Sequence, residues 1–287
     1  MMNDARGVKK RLPVTWNDRG VALLIVLLVT ALLIALIFEF SYATRISLNS
    51  AVNFRDSQRA FFLARSGIKA FITYGQRLRD IIPPGEWSPV PMIGEGDASI
   101  MIKWEDESGK IKINDIKKDT ATLMVARALF ENVKGIDTAV VDRLASPQSD
   151  ISNLTLLSGL HQYMSDEYFN KVYESLTVAS VSQNKVAINI NTASADVLQS
   201  LGINAMDAQR IIAERQTTPY TDADLGITGK LSSIIGNIQI NRLNLSTYLT
   251  TKSSGYYKIF TYATVGGYTK QVEAIVNGNT FFYWRSL

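Results

Sequence analysis

Val21–Phe38 reads VALLIVLLVTALLIALIF, eighteen residues without a charge. At the rise of an α-helix it spans about 27 Å, close to the hydrocarbon thickness of a bilayer. Phe40 and Tyr42 follow it, where aromatic rings settle at a membrane interface, and Glu39 stands at the edge within reach of water. Upstream, residues 1–20 hold Arg6, Lys9, Lys10, Arg11 and Arg19 against Asp4 and Asp18, a net of +3. A basic leader of this kind orients the amino-terminus to the cytoplasm and the rest outward. The chain carries +4 in all, so its basic balance belongs mostly to these twenty residues, and the remainder has no basic surplus that points to nucleic acid.

A cleaved secretory signal has a shorter apolar stretch followed by small residues. Here the order is inverted: the small residue, Gly20, precedes the run. A cut at Gly20 would leave the apolar helix as the new amino-terminus. The helix is also expected to continue beyond the membrane. No proline occurs from Val21 to Ile82, and Pro83-Pro84-Gly85 stops the pattern. A helix from Val21 to about Gln76 would be roughly 80 Å long. Its outer half places Phe54, Phe61, Ala64, Ile68, Phe71 and Ile72 on one stripe, with Arg55, Arg59 and Ser66 opposite. An ordinary single-pass anchor with a helical stalk would show the same segment.

Beyond the helix, Ala98, Ile100, Ile102 and Trp104 alternate with Ser99, Met101, Lys103 and Glu105, a half-buried strand. Gly109 turns the chain, and Lys110–Asn114 reads as a short second strand. Helical periodicity follows: Thr122–Val133, Asp137–Leu144, and a helix opened by Ser165 and Asp166 in which Tyr168, Phe169, Val172, Tyr173 and Leu176 share a face. Asn191 or Thr192 is expected to cap a helix over Ala193–Leu201. Leu201-Gly202-Ile203 turns into a partner helix, Met206–Arg215. From Gly255 the period returns to two. Tyr256–Val265 and Lys270–Val276 flank Gly266-Gly267-Tyr268, a hairpin signal, and Phe281–Arg285 is a last strand. Strands on both sides of a helical block imply an α+β fold: a long amino-terminal helix on an antiparallel sheet, interrupted by an inserted all-α module over 115–250.

Chemistry is sparsely represented. The chain has no cysteine and one histidine, His161, in a polar run that reads as a surface or cap position. Disulfides, thiolate sites and polyhistidine metal sites are excluded. There is no phosphate-binding loop and no nucleophile elbow; Gly94-Glu95-Gly96 precedes a strand, the wrong context for a dinucleotide. An enzyme is not expected. Two motifs keep binding readings open. The Leu201-Gly202-Ile203 turn resembles a helix-hairpin-helix unit, which holds nucleic-acid phosphate on backbone N–H groups. Against this, Asn204-Ala205 stand where a second glycine would help, and the neighbouring charges, Asp207, Arg210, Glu214 and Arg215, are mixed. Glu105, Asp106 and Glu107 form an acidic run, read either as a solvated turn or as oxygen ligands for calcium. The Asp222-x-Asp224 pair stands near Asp207 in sequence only.

The amino-terminal segment resembles a type IV pilin or pseudopilin. That resemblance implies a prepilin peptidase cut between Gly20 and Val21, with methylation of Val21. Most family members carry a glutamate at the fifth mature position, thought to neutralise the terminal amine of a neighbouring subunit. Here that position is Ile25. A carboxylate at that depth is costly in lipid unless paired, and a subunit without it lacks a partner for the subunit ahead. Within the family this absence resembles the minor pseudopilin K of type II secretion systems. Trp104-Glu-Asp-Glu-Ser-Gly-Lys-Ile-Lys-Ile-Asn114, Ala187-Ile-Asn-Ile-Asn-Thr-Ala-Ser-Ala-Asp-Val-Leu198 and Ala64-Arg-Ser-Gly-Ile-Lys-Ala70 resemble that family's strand turn, helix start and helical stem.

What the resemblance implies is a leader over 1–20, a transmembrane half-helix over 21–42, amphipathic helix and first strands over 43–114, an inserted helical domain of two subdomains over 115–250, and closing strands over 251–287. It implies an inner-membrane protein, spanning once, with a periplasmic domain that caps or initiates the pseudopilus. The implied partners are other minor pseudopilins, the major pseudopilin, the peptidase, and secreted cargo or the outer-membrane channel. No cofactor is required; some members bind calcium through acidic loops of the insertion. A minor pilin of a type IV pilus and a DNA-capturing anchor are the alternative readings.

Overall fold

The computed structural model describes residues 18–90, 98–179 and 186–286. The leader as far as residue 17 and the loop containing Pro91, Gly94 and Gly96 lie outside the described residues.

The chain divides into two units, Met1–Arg55 and Asp56–Leu287. In the first, helix α1 (Asp18–Ile81) begins, and every residue from Gly20 to Arg55 is exposed. Among the described residues this is one helix long and apolar enough to cross a membrane. Two of its hydroxyls are turned back onto the helix: Thr30 donates to the Val26 carbonyl at 2.7 Å and Thr44 to that of Phe40 at 2.8 Å. An apolar surround demands such internal satisfaction of polar groups. Phe54, expected on the buried stripe, is exposed.

In the second unit, α1 continues past Gln76 to Ile81, with one non-helical residue, Tyr74 (φ −110°, ψ 17°), ahead of Gly75. Glycine is a common cause of such an irregularity. Ala60, Ala64, Ile68, Phe71 and Leu78 are buried, while Arg59 and Ser66 face out as expected. The small members of this stripe set the helix-to-sheet distance. A Cβ on Gly67 would lie 3.0 Å from Thr261 Cγ2 and 3.2 Å from Ile100 Cγ2. Thr261 donates to the Ala64 carbonyl at 2.7 Å. Pro83 and Pro84 follow the last turn, and Trp104 Nε1 donates to the Ile82 carbonyl, tying the helix end to the sheet.

That sheet is antiparallel and five-stranded. Strands β1 (Ser88–Pro89) and β2 (Ser99–Asp106) come before the insertion. Within the insertion lie β3 (Ile111–Lys112), α2 (Thr120–Ala128), α3 (Thr138–Ala145), α4 (Asp166–Val172), β4 (Leu176–Thr177), β5 (Ile188–Asn189), α5 (Ala195–Ser200), α6 (Ala205–Thr217), α7 (Lys230–Ile235), α8 (Asn237–Arg242), α9 (Leu245–Tyr248) and β6 (Leu249–Thr250). Strands β7 (Tyr256–Val265), β8 (Tyr268–Asn277) and β9 (Thr280–Ser286) complete the sheet in the order β1-β2-β7-β8-β9. Gly266 and Gly267 turn β7 into β8 with φ of +55° and +81°, the left-handed pair that a two-residue hairpin requires.

Two hydrophobic clusters result. One joins α1 to the inner face of the sheet, through Ile68, Phe71, Ile102, Trp104, Ile259 and Val272 among others. The other fills the insertion and already includes Ile111 and Ile113. The insertion is helical but not wholly so. It holds two parallel two-residue pairings, β3 with β4 and β5 with β6. Lys110–Asn114 is therefore not a second sheet strand: only Ile111–Lys112 is extended, it pairs with Leu176–Thr177, and a 3-10 turn follows. The expected Thr122–Val133 helix starts earlier, where Asp119 caps α2 through the N–H groups of Ala121 and Thr122, and ends in a π-helical turn over Leu129–Val133. Leu176 belongs to a strand rather than to the helical face of Tyr168 and Phe169. The cap of α5 is Ser194, whose Oγ accepts from Val197 N; neither Asn191 nor Thr192 plays that role.

Candidate assembly surfaces

The acidic run at the end of β2 is neither solvated nor open. Asp106 and Glu107 are 5% and 1% exposed. Asp106 Oδ1 accepts from Ser108 N at 3.0 Å and Ser253 Oγ at 3.1 Å, and Oδ2 from Asn189 Nδ2 at 3.0 Å and Thr192 Oγ1 at 3.4 Å. Glu107 accepts from Lys110 Nζ at 2.7 Å and from the Thr177 hydroxyl. Glu105 pairs with Lys103 at 2.9 Å and Lys110 at 2.8 Å. Burial by itself would raise the Glu105 carboxyl, but Lys110 and Lys103 outweigh it and hold it at about 2. Burial likewise opposes the Lys110 charge, yet Glu107 and Glu105 raise its affinity for the proton above that of an ordinary lysine. The Lys110 ammonium stands between two carboxylates, where a cation ligand set would have to converge. Among the described residues no cluster of three or more acidic or histidine side chains could hold a metal ion. The residues present do not fit calcium.

Two sequence motifs thus meet in space. The strand-turn motif supplies Asp106, Ser108 and Gly109; the Asn-x-Asn-Thr-Ala motif supplies Asn189 and Thr192. Gly109 is packed so closely that a Cβ would lie 2.6 Å from the Thr192 carbonyl carbon. Asn191 takes part as well, bridging both backbone groups of Tyr220.

A second polar junction crosses the outer face of the sheet. Lys258 on β7 and Glu273 on β8 are 3.2 Å apart and 4% exposed. Arg285 on β9 approaches Glu273 through Nε at 3.1 Å and Nη2 at 2.8 Å. Tyr173, from the insertion, accepts from Lys258 and donates to Glu273. A buried carboxylate here requires such partners. Sequence reading missed this group; its signal is Glu273 standing between Val272 and Ala274 in a strand otherwise poor in charge.

The α5–α6 hairpin has the expected turn, with Gly202 at φ +89° and Asn204 capping α6. Its charges are spent internally. Arg210 lies 3.6 Å from Asp207, and Arg215 donates to the Ile190 and Ala193 carbonyls at 2.7 Å each. No cationic face for phosphate is gathered there. His161 pairs with Asp166 at 2.8 Å and its ring lies against Phe169, on the surface.

The hairpin lies within the segment that one comparison matches. Residues 188–228 match the family described as type II secretion system (T2SS), protein K. A chain of the GspK-GspI-GspJ complex of the type 2 secretion system from enterotoxigenic Escherichia coli has a similar fold, with a TM-score of 0.56 at 12% identity, over 83% of this chain and 99% of that one. No curated protein matches the chain in sequence. The family-matched segment contains Asn189 and Arg215, so the match covers the loop that grips Asp106 and the arginine that fixes that loop.

Gly20, Val21 and Ile25 are all exposed on α1, and nothing surrounds Gly20 within 4 Å of a notional Cβ.

Proposed function

We propose that this chain is a protein K of a type II secretion system, is processed between Gly20 and Val21, is held in the inner membrane by Val21–Phe38, and caps or initiates the periplasmic pseudopilus. The observation that carries the reading is Ile25. The helix of a pilin-like subunit packs against its neighbours in an apolar setting, where each charge must be paired. A subunit with isoleucine at this position offers no acid to a subunit ahead of it and loses nothing if none is there. The insertion then forms the head of the fibre end. The related fold occurs in a complex with GspI and GspJ, which supports counterparts of those two minor pseudopilins as partners here. The function is assembly, without bond chemistry of its own.

The test is the mass of the mature amino-terminus together with co-isolation. A chain beginning with methylated Val21 that associates with the I-type and J-type subunits is the expected result. A mature chain that keeps residues 1–20 overturns it.

A further inference from the structure

The two edges of the five-stranded sheet are treated differently. β1 is two residues long and ends on Pro89, both of which protect an edge from further pairing. β9 runs for seven residues, Thr280–Ser286, without proline or lysine. Its one irregularity, at Ile275/Val276 of the β8 pairing, lies near its start and leaves Tyr283–Ser286 regularly paired. As the terminal strand it presents one side of its backbone to no other strand among the described residues. Several of its side chains are apolar yet uncovered: Phe281, Phe282 and Trp284 are 48%, 45% and 47% exposed, with Phe61 of α1 6.5 Å from Trp284 and Tyr256 5.9 Å from Phe282. Exposed aromatic side chains on a strand whose backbone is unpaired along one side are the arrangement that accepts an added strand.

The charges choose the occupant. β9 contains no carboxylate. Arg65 lies over the Trp284 ring at 5.6 Å and has no ion pair among the described residues. Arg285, 43% exposed on β9 itself, shares the Glu273 carboxylate with the buried Lys258, so its charge is only partly matched. A second copy of this chain would set the same cations against each other. A strand bearing a carboxylate between apolar residues would complement them.

We propose that β9 is an open edge that receives an extended strand from a different fibre subunit, apolar at alternate positions and carrying at least one carboxylate. This deepens the reading above and rests on it. The I-type and J-type subunits are the probes. Full-length chain in detergent is mixed with each, and amide hydrogen exchange is followed along the sheet. Pairing at the edge slows exchange within 280–286 by at least about tenfold. Phe282→Lys then weakens association at least about tenfold, whereas Ile238→Lys, on the exposed side of α8, leaves it unchanged. Should Phe282→Lys also loosen β7 and β8, the exchange measured on the unaltered chain decides alone. Association without slowed exchange in 280–286 overturns the edge proposal and leaves the fibre-end reading standing. Protection of β9 by self-association overturns the choice of partner. Failure to associate with either subunit overturns the fibre-end reading, and the edge proposal with it.

Discussion

Lys110 Nζ lies 2.7 Å from Glu107 Oε1, and the two side chains are 10% and 1% exposed. Removing the cation strands a buried carboxylate that only the Thr177 hydroxyl still serves. Lys110→Met is therefore expected to lower stability by about 3 kcal/mol. Urea unfolding followed by tryptophan fluorescence measures it; a loss below ~1 kcal/mol would show that the pair is dispensable.

The same group sets a pH window. Glu105 titrates lower in the fold than in the unfolded chain, so its contribution is complete above the ordinary carboxylate value of ~4.3 and is lost as pH falls from there toward about 2. Lys110 is raised, so its contribution is complete below the ordinary lysine value of ~10.4 and fades as pH rises beyond it. Unfolding midpoints between pH ~5 and ~10 should be nearly flat on account of these two groups. Glu105→Gln should flatten the acid limb, and an unchanged limb counts against the assignment.

Gly109→Ala places a methyl group against backbone rather than a flexible side chain. A cost of ~1–3 kcal/mol is expected, in the range of overpacked cores. Exchange should quicken first at Asn189–Thr192, the loop it displaces.

Processing separates size from identity at Gly20. Gly20→Ala should still be cut, and Gly20→Leu should block cleavage. Intact mass of the Leu variant beginning at Val21 would refute the proposed site.

Ile25→Glu tests the fibre-end position from the other side. If no subunit lies ahead, as proposed, the new acid finds no amine, and secretion should not improve. A gain of secretion in that variant points to an interior position.

Much of the fold was legible because its signals are local. The apolar run, the Pro83-Pro84 stop, the alternation of β2 and the Gly266-Gly267 turn each depend on neighbours in sequence. The insertion was legible as a helical block between strands, but its bounds were blurred. Ile111 and Ile113 alternate like sheet residues, and their burial in the insertion's core depends on Leu176, far along the chain. The cap of α5 was misplaced by two or three residues because Asn191, Thr192 and Ser194 are all good caps; Asn191 is drawn away by Tyr220, a tertiary contact. The acidic run misled for the same reason. Nothing nearby in sequence announces that Asn189, Thr192 and Ser253 converge on Asp106. The junction of Tyr173, Lys258, Glu273 and Arg285 draws on four separate elements, and Glu273 between Val272 and Ala274 is its one local sign.

Asp106 pairs with Tyr257 in adjacent strands, although the whole insertion lies between them. Closing a loop of that size has a high entropic cost, and contacts of such long sequence separation form late. The insertion has its own core and can condense first, bringing its two ends together. Until it does, β2 has no long partner strand and α1 has only part of its platform. On the proposed reading the topology orders maturation: the head condenses before the stem is fixed, so an unfinished subunit would have no rigid base to contribute to a filament.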